Sequence, residues 1–197
     1  MKKTTLRVAI LMAAIGAMGW TAALFAEDAA PNTKQAAIAI IHGAGDNKDK
    51  ITGTVSFVPD GSGVKIVADV NGLTPGKHGI HIHVKSDLSS PDLKSAGPHF
   101  NPGGESHHHG APDDPNHHAG DLGNIEADAN GHGHLELMSS DLTIEDSKTG
   151  VVGHSVIIHA GEDDLKSDPA GKSGDRIAGG AINVRNGAGR QPDRAKD

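Results

Sequence analysis

His81 and His83, in "GIHIHV" at 79 to 84, stand two residues apart in a run that is otherwise apolar. On a strand, alternate side chains share a face, so this spacing sets two imidazole rings side by side as a chelating pair. His159 closes a second apolar run, "SVIIH", where a strand delivers a side chain to the rim of a sheet. His99 lies in "SAGPHFNP", and "HHHGAPDDPNHHAGD" adds His107, His108, His109, His117, His118 and Asp121. Imidazoles with one carboxylate and no thiolate suit zinc or copper rather than magnesium or an iron–sulfur cluster. By itself the "HHH" tract reads equally well as a solvated or metal-scavenging segment. The paired strand histidines and the distant strand-end histidine favour an organised site.

The elements that must hold these groups are short and β-like. Alternating or β-branched runs occur at 36–41, 51–58, 63–70, 78–84, 124–129, from 133, at 155–160 and at 177–184, and turn signals such as "PDGSG" and "NGLTPGK" separate them. No amphipathic helix of useful length interrupts the first four. This pattern predicts an all-β fold: an eight-stranded antiparallel Greek-key barrel or sandwich with two long loops. The loops are Lys85 to about Gly120, rich in Ser, Pro, Asp, Gly and His, and Gly161 to Asp175. Loops of this length inside a compact domain are expected to be functional.

Residues 1–26 read as an export signal, with Lys2, Lys3 and Arg7 ahead of an apolar run from Val8 to about Phe25 and cleavage after Ala26 or Ala23. The apolar run approaches the roughly 18 residues from which a membrane anchor can be built, which is the competing reading. A polar leader follows at 27–34, the domain is expected over 35–186, and the tail at 187–197 is Gly- and charge-rich and reads as disordered. Loss of the signal removes three positive charges and moves the formal net charge from −7 to about −10. Such a body repels nucleic acid and anionic lipid, so neither nucleic acid nor, once the signal is cleaved, membrane is expected as a partner, and an anionic substrate needs a local cation. An exported chain with no cysteine must be stabilised by packing and metal.

Five ordered segments, "GIHIHV", "SAGPHFNP", "HHAGDLGN", "SVIIHAGEDD" and "GDRIAGG", together with "GTVSF" and "GLTPGKHG" upstream, resemble the copper/zinc superoxide dismutase family. The likeness runs from about Thr52 to Val184. It implies an exported, bacterial and periplasmic enzyme that converts two superoxide anions and two protons to dioxygen and hydrogen peroxide, with copper and zinc ions as cofactors and a homodimer as one allowed assembly.

Carried over residue by residue, the resemblance assigns copper to His81, His83, His99 and His159, and zinc to His99, His109, His118 and Asp121, with His99 bridging the two. His109 is chosen because it precedes Gly-x-Pro and lies nine residues before His118, although His107 would keep the family's usual distance from His99. His118 rather than His117 heads His-x-Gly-Asp. Asp163 matches the carboxylate linking a copper-bound to a zinc-bound histidine, and His78 matches a histidine packed beneath the site. Arg176 corresponds to the arginine that guides superoxide, with Lys166 and Lys172 as possible additions to that field. His132 and His134 read as surface decoration, and His42 and His154 take no role.

One departure from the family pattern is the missing intrasubunit disulfide: the later cysteine position is Gly179, and "KSDLSSPDLKS" at 85–95 supplies no partner. Loop rigidity and dimer formation are therefore expected to suffer, the more so with an insertion between Pro102 and His109 and a shortened loop between Asp163 and Arg176. The rival function is a non-catalytic copper/zinc binding or buffering protein on the same barrel.

Overall fold

The computed structural model describes residues 35–145 and 148–185, so the expected export signal, polar leader and tail lie outside the described residues. Eight strands form the fold: β1 (Ala36–Gly43), β2 (Thr52–Asp60), β3 (Gly63–Asn71), β4 (Gly76–His83), β5 (Asp121–Ala127), β6 (Gly133–Ser139), β7 (Ser155–His159) and β8 (Arg176–Arg185). They close into one antiparallel barrel in the order β1-β2-β3-β6-β5-β4-β7-β8. The all-β expectation is met, and closure leaves no free sheet edge. Among the described residues the helical elements are three 3₁₀ turns of three residues each. No helix there is long and apolar enough to cross a membrane.

Period-two patterning builds the interior. On β3, Val64, Ile66, Ala68 and Val70 point inward, and they meet Val55 and Phe57 of β2, Ala37, Ala39 and Ile41 of β1, and Ile182 of β8. Burying one such aliphatic side chain contributes about 1.5–3 kcal/mol.

β4 and β7 depart from alternation, since every residue from His78 to His83 and from Ser155 to His159 is buried. Their core faces carry Ile80, Ile82, Val156 and Ile158. Their other faces are covered by the two long loops, which is how His81, His83 and His159 become buried on the outside of a barrel wall. The two strands are neighbours, with His81 opposite Ile157 and His83 opposite Ser155. A register shift between Gly79 and His81 in the β4–β5 pairing, and another between Ile158 and His159 in β7–β8, flank the histidines. Irregularities of this kind re-aim a side chain locally.

Candidate metal centre

Two groups of ligating side chains share His99. His81, His83, His99 and His159 form one, and His99, His109, His118 and Asp121 form the other, with the ligand atoms of each group within 4.8 Å of one another. Strand β4 supplies the first pair, β7 supplies His159, the long loop supplies His99, His109 and His118, and the first residue of β5 is Asp121. His99 is fastened to the barrel wall: it bridges to His83, and the next residue, Phe100, exchanges backbone hydrogen bonds with Ile82 and Gly120 at 2.8 Å. The rings of His81 and His99 lie 4.0 Å apart, and those of His83 and His99 lie 4.8 Å apart.

Every histidine of the two groups except His118 has one ring nitrogen tied back and the other left over. His83 Nδ1 donates to the Gly97 carbonyl at 2.8 Å, and His159 Nδ1 donates to that of Gly174 at 3.1 Å. The Nε2 atoms of His81 and His109 both donate to Asp163, to Oδ2 and Oδ1 respectively, each at 2.8 Å. His99 Nδ1 lies 2.7 Å from Asp121 Oδ1. Buried and without a hydrogen-bond partner are His81 Nδ1, His83 Nε2, His99 Nε2, His159 Nε2, His109 Nδ1 and His118 Nδ1. The last two lie 3.1 and 3.4 Å from Asp121 oxygens without hydrogen-bond alignment. A buried polar atom with no partner is costly, and six of them converging on two points fit two cations that accept nitrogen lone pairs.

Protonation follows from this packing. Burial, chiefly, lowers His81 to about 3, His83 to about 2 and His159 to about 4, so their rings are neutral and ready to ligate. Burial also opposes charge on His109, but Asp121 and Asp163 on either side outweigh it and hold the ring up to about 10. Both carboxylates are correspondingly held well below the usual range, the histidine hydrogen bonds overcoming burial.

Asp163 is itself clamped. Its backbone N–H donates to Asn124 Oδ1 at 2.8 Å, Asn124 Nδ2 donates to its carbonyl at 3.0 Å, and Leu165 N donates to Oδ1 at 2.7 Å. Gly171, at a φ of +58°, passes so close that a Cβ there would collide with Asp163 Oδ1 and His109 Nε2. Asp168 Oδ1 accepts the His109 backbone N–H at 2.8 Å. Sequence reasoning missed Asn124 and Asp168. Asn124 ends the "HHAGDLGN" segment, whereas no local pattern marks Asp168.

His107 is not in either group: its Nδ1 donates to the His117 carbonyl at 2.8 Å. The insertion between Pro102 and His109 folds into the 3₁₀ turn Gly104–Ser106, which absorbs the extra length before His109 arrives. His78 sits beneath His159, its ring 2.8 Å from the carbonyl oxygens of His159 and Thr74. His132 and His134 are exposed beside Asp69.

Arg176 begins β8 opposite His159. Its Nη1 donates to the Leu93 carbonyl and its Nη2 to that of Gly97, both at 2.8 Å. Gly97 O thus serves both His83 and Arg176, which sets a guanidinium beside the first histidine group. Lys172 lies 3.6 Å from Asp164 on the surface, and the Lys166 backbone N–H is bound by Asp164.

The loop expected to lack bracing is tied by other means. Leu93, Ala96 and Ile157 form a small buried apolar cluster, with Ala44 and Leu88 against it. A Cβ on Gly179 would sit 2.8 Å from Ile157 Cδ1 and 3.4 Å from Leu93 Cδ1, so these side chains fill the space a cross-link from residue 179 would need. Ser155 Oγ donates to the Lys85 carbonyl and His154 Nδ1 to that of Val84, both at 2.7 Å. His154 therefore has a structural role.

Residues 51–182 match the family described as copper/zinc superoxide dismutase (SODC). The chain belongs to the copper/zinc superoxide dismutase family. Relatives within that family include the extracellular Cu-Zn superoxide dismutases of Caenorhabditis elegans, 43% identical over 145 residues, and of Brugia pahangi, 38% identical over 157 residues. That of Haemonchus contortus is 40% identical over 146 residues. The matches cover 71%, 75% and 71% of this chain, and 64%, 75% and 78% of the respective relatives. The crystal structure of the clock protein EA4 superimposes with a TM-score of 0.69 at 34% identity, covering 78% of this chain and 96% of that one. As a member of a copper/zinc family, the chain carries buried histidine groups able to hold both metals.

Proposed function

We propose that the protein is an exported superoxide dismutase that converts two superoxide anions and two protons to dioxygen and hydrogen peroxide, with its domain over 35–186. Copper would be held by His81, His83, His99 and His159, and zinc by His99, His109, His118 and Asp121. Bound copper supplies one-electron oxidation and reduction of successive superoxide ions. The observation that carries this reading is the set of six unpaired buried ring nitrogens, four facing one point and the rest, with Asp121, facing another.

The chain's own residues supply the remainder. Arg176, in a formally acidic protein, is the local cation that draws an anion toward His83 and His159, and its two carbonyl partners hold the fork in place. His99 Nε2, whenever it is not holding copper, could take up a proton at the face where the anion arrives and give it to the departing product. Asp163 fixes the ring orientations of His81 and His109, as an outer carboxylate does for ligating histidines. The extracellular relatives support export.

The test is superoxide consumption by the mature protein loaded with copper and zinc, beside Arg176→Ala and His159→Ala variants. Activity well above an equal amount of free copper, lowered in both variants, is the expected result. Stoichiometric binding of both ions without activity would instead establish the buffering protein.

A further inference from the structure

Beside the first histidine group, a cleft of about 500 Å³ opens where β8 begins, lined by Asp46, Asp92, Lys94, Gly174, Asp175 and Arg176 among others. Two of these residues connect it to the group: the Gly174 carbonyl holds His159 Nδ1, and Arg176 shares the Gly97 carbonyl with His83. An anion approaching Arg176 from this cleft therefore passes three carboxylates and one lysine. Asp92 differs from the other two acids. It precedes Leu93, whose carbonyl accepts from Arg176 Nη1 at 2.8 Å, so carboxylate and guanidinium are tied to one stretch of backbone. Its Oδ1 accepts the Lys94 backbone N–H at 3.1 Å, and its Oδ2 pairs with Lys94 Nζ at 3.0 Å, both side chains being exposed. These bonds to Lys94 lower its carboxyl to about 2, so it is fully ionised at neutral pH. Burial pulls the Arg176 pKa down from its ordinary value and Asp92 works against that, so the two charges feel each other. Lys166 and Lys172, the lysines expected to add to the field, do not line this cleft, and Lys172 lies against Asp164.

We propose that Asp92 sets the rate of anion capture: its charge cancels part of the Arg176 field at the cleft and occupies Lys94, the second cation there, in an ion pair. The anion meant is the superoxide of the dismutase reading, on which the inference rests, although the charge relationship holds for any small anion. Removing the carboxylate leaves two uncompensated cations facing the cleft. A unit charge about 6 Å from an anion's path in a water-like dielectric changes the anion's occupancy about threefold. Asparagine suits the test, because its Oδ1 can still accept the Lys94 N–H and so keep the turn that presents the Leu93 carbonyl to Arg176.

The experiment compares the whole mature protein with Asp92→Asn and with Glu136→Gln, which removes one carboxylate from β6, the strand farthest around the barrel from β8. In the copper- and zinc-loaded proteins, stopped-flow superoxide consumption at low ionic strength should rise about threefold in Asp92→Asn, fade toward the wild-type rate at high salt, and stay unchanged in Glu136→Gln. In the metal-free proteins, inorganic phosphate, followed through amide resonances around residue 176, should bind about threefold or more tightly in Asp92→Asn than in wild type. The phosphate comparison is read whether or not the loaded protein consumes superoxide, so failure of the dismutase reading leaves it intact. Equal phosphate affinity in wild type and Asp92→Asn would overturn the proposal, and so would an active wild type whose rate Asp92→Asn leaves unchanged. An equal gain in Glu136→Gln would also overturn it, by marking net charge rather than Asp92 as the cause.

Discussion

The Leu93 carbonyl accepts a hydrogen bond from Arg176 Nη1 at 2.8 Å, while the Leu93 side chain packs with Ile157 at the buried foot of the same loop. One residue thus anchors the loop in the barrel wall and holds the cation at the site. Its backbone pays for this with a φ of +56°, uncommon for a branched side chain. Leu93→Ala should cost about 2–3 kcal/mol of stability and loosen the guanidinium. Thermal unfolding should show the loss, and superoxide consumption should fall further than unfolding accounts for. An unchanged rate in the folded variant would mean that Arg176 does not depend on this anchor.

Arg176 makes two separate hydrogen bonds through one planar fork, a geometry lysine cannot reproduce. Arg176→Lys should keep part of the steering charge and Arg176→Ala none of it. Rates at low salt should fall in the order wild type, Lys, Ala, with a loss of about tenfold or more in the alanine variant, and the salt dependence should flatten in the same order. Stopped-flow rates at several ionic strengths check this.

Asp163 joins the two four-residue groups through the nitrogens of His81 and His109 opposite those left unpaired. Asp163→Asn should weaken metal retention about 10- to 100-fold by freeing both rings to turn. Competition with a chelator, compared between variant and wild type, measures it.

The metal-free protein should be most stable near pH 6.5. The pKa values of His81, His83 and His159 are lowered in the folded chain, chiefly by burial, to about 3, 2 and 4. Above 6.5 these groups are neutral in both states and make no difference. Below it the unfolded chain takes up protons that the folded chain refuses, which costs about 1.4 kcal/mol per pH unit for each group. His109 acts in the other direction: its raised value, about 10, gives stability fully present below 6.5 and lost as pH climbs toward 10. Denaturant unfolding of the stripped protein at pH 5, 6.5 and 9 should give the highest midpoint at 6.5, and a flat response from 5 to 6.5 would contradict the buried neutral rings.

All eight strands were legible in the chain because alternation and turn residues mark them; Val64, Ile66, Ala68 and Val70 announce their buried face directly. β4 was legible for a different reason, since alternation there separates apolar residues from histidines rather than from solvent-facing ones. The convergence of His99, His109 and His118 was not visible in local pattern, because loop residues carry no period, and it came from family resemblance alone. Nothing in "PDLKS" announces that Leu93 replaces a covalent brace, or that Asp168 and Asn124 clamp the site, because these are contacts between loops far apart in sequence.

In the proposed site two different ions share His99. Anomalous diffraction at the copper and zinc edges, from crystals of the loaded protein, tests it most directly. A copper peak is expected among His81, His83, His99 and His159, and a separate zinc peak among His99, His109, His118 and Asp121. A single ion, or an ion seated among His81, His109 and Asp163, which also lie within reach of one another, would contradict it.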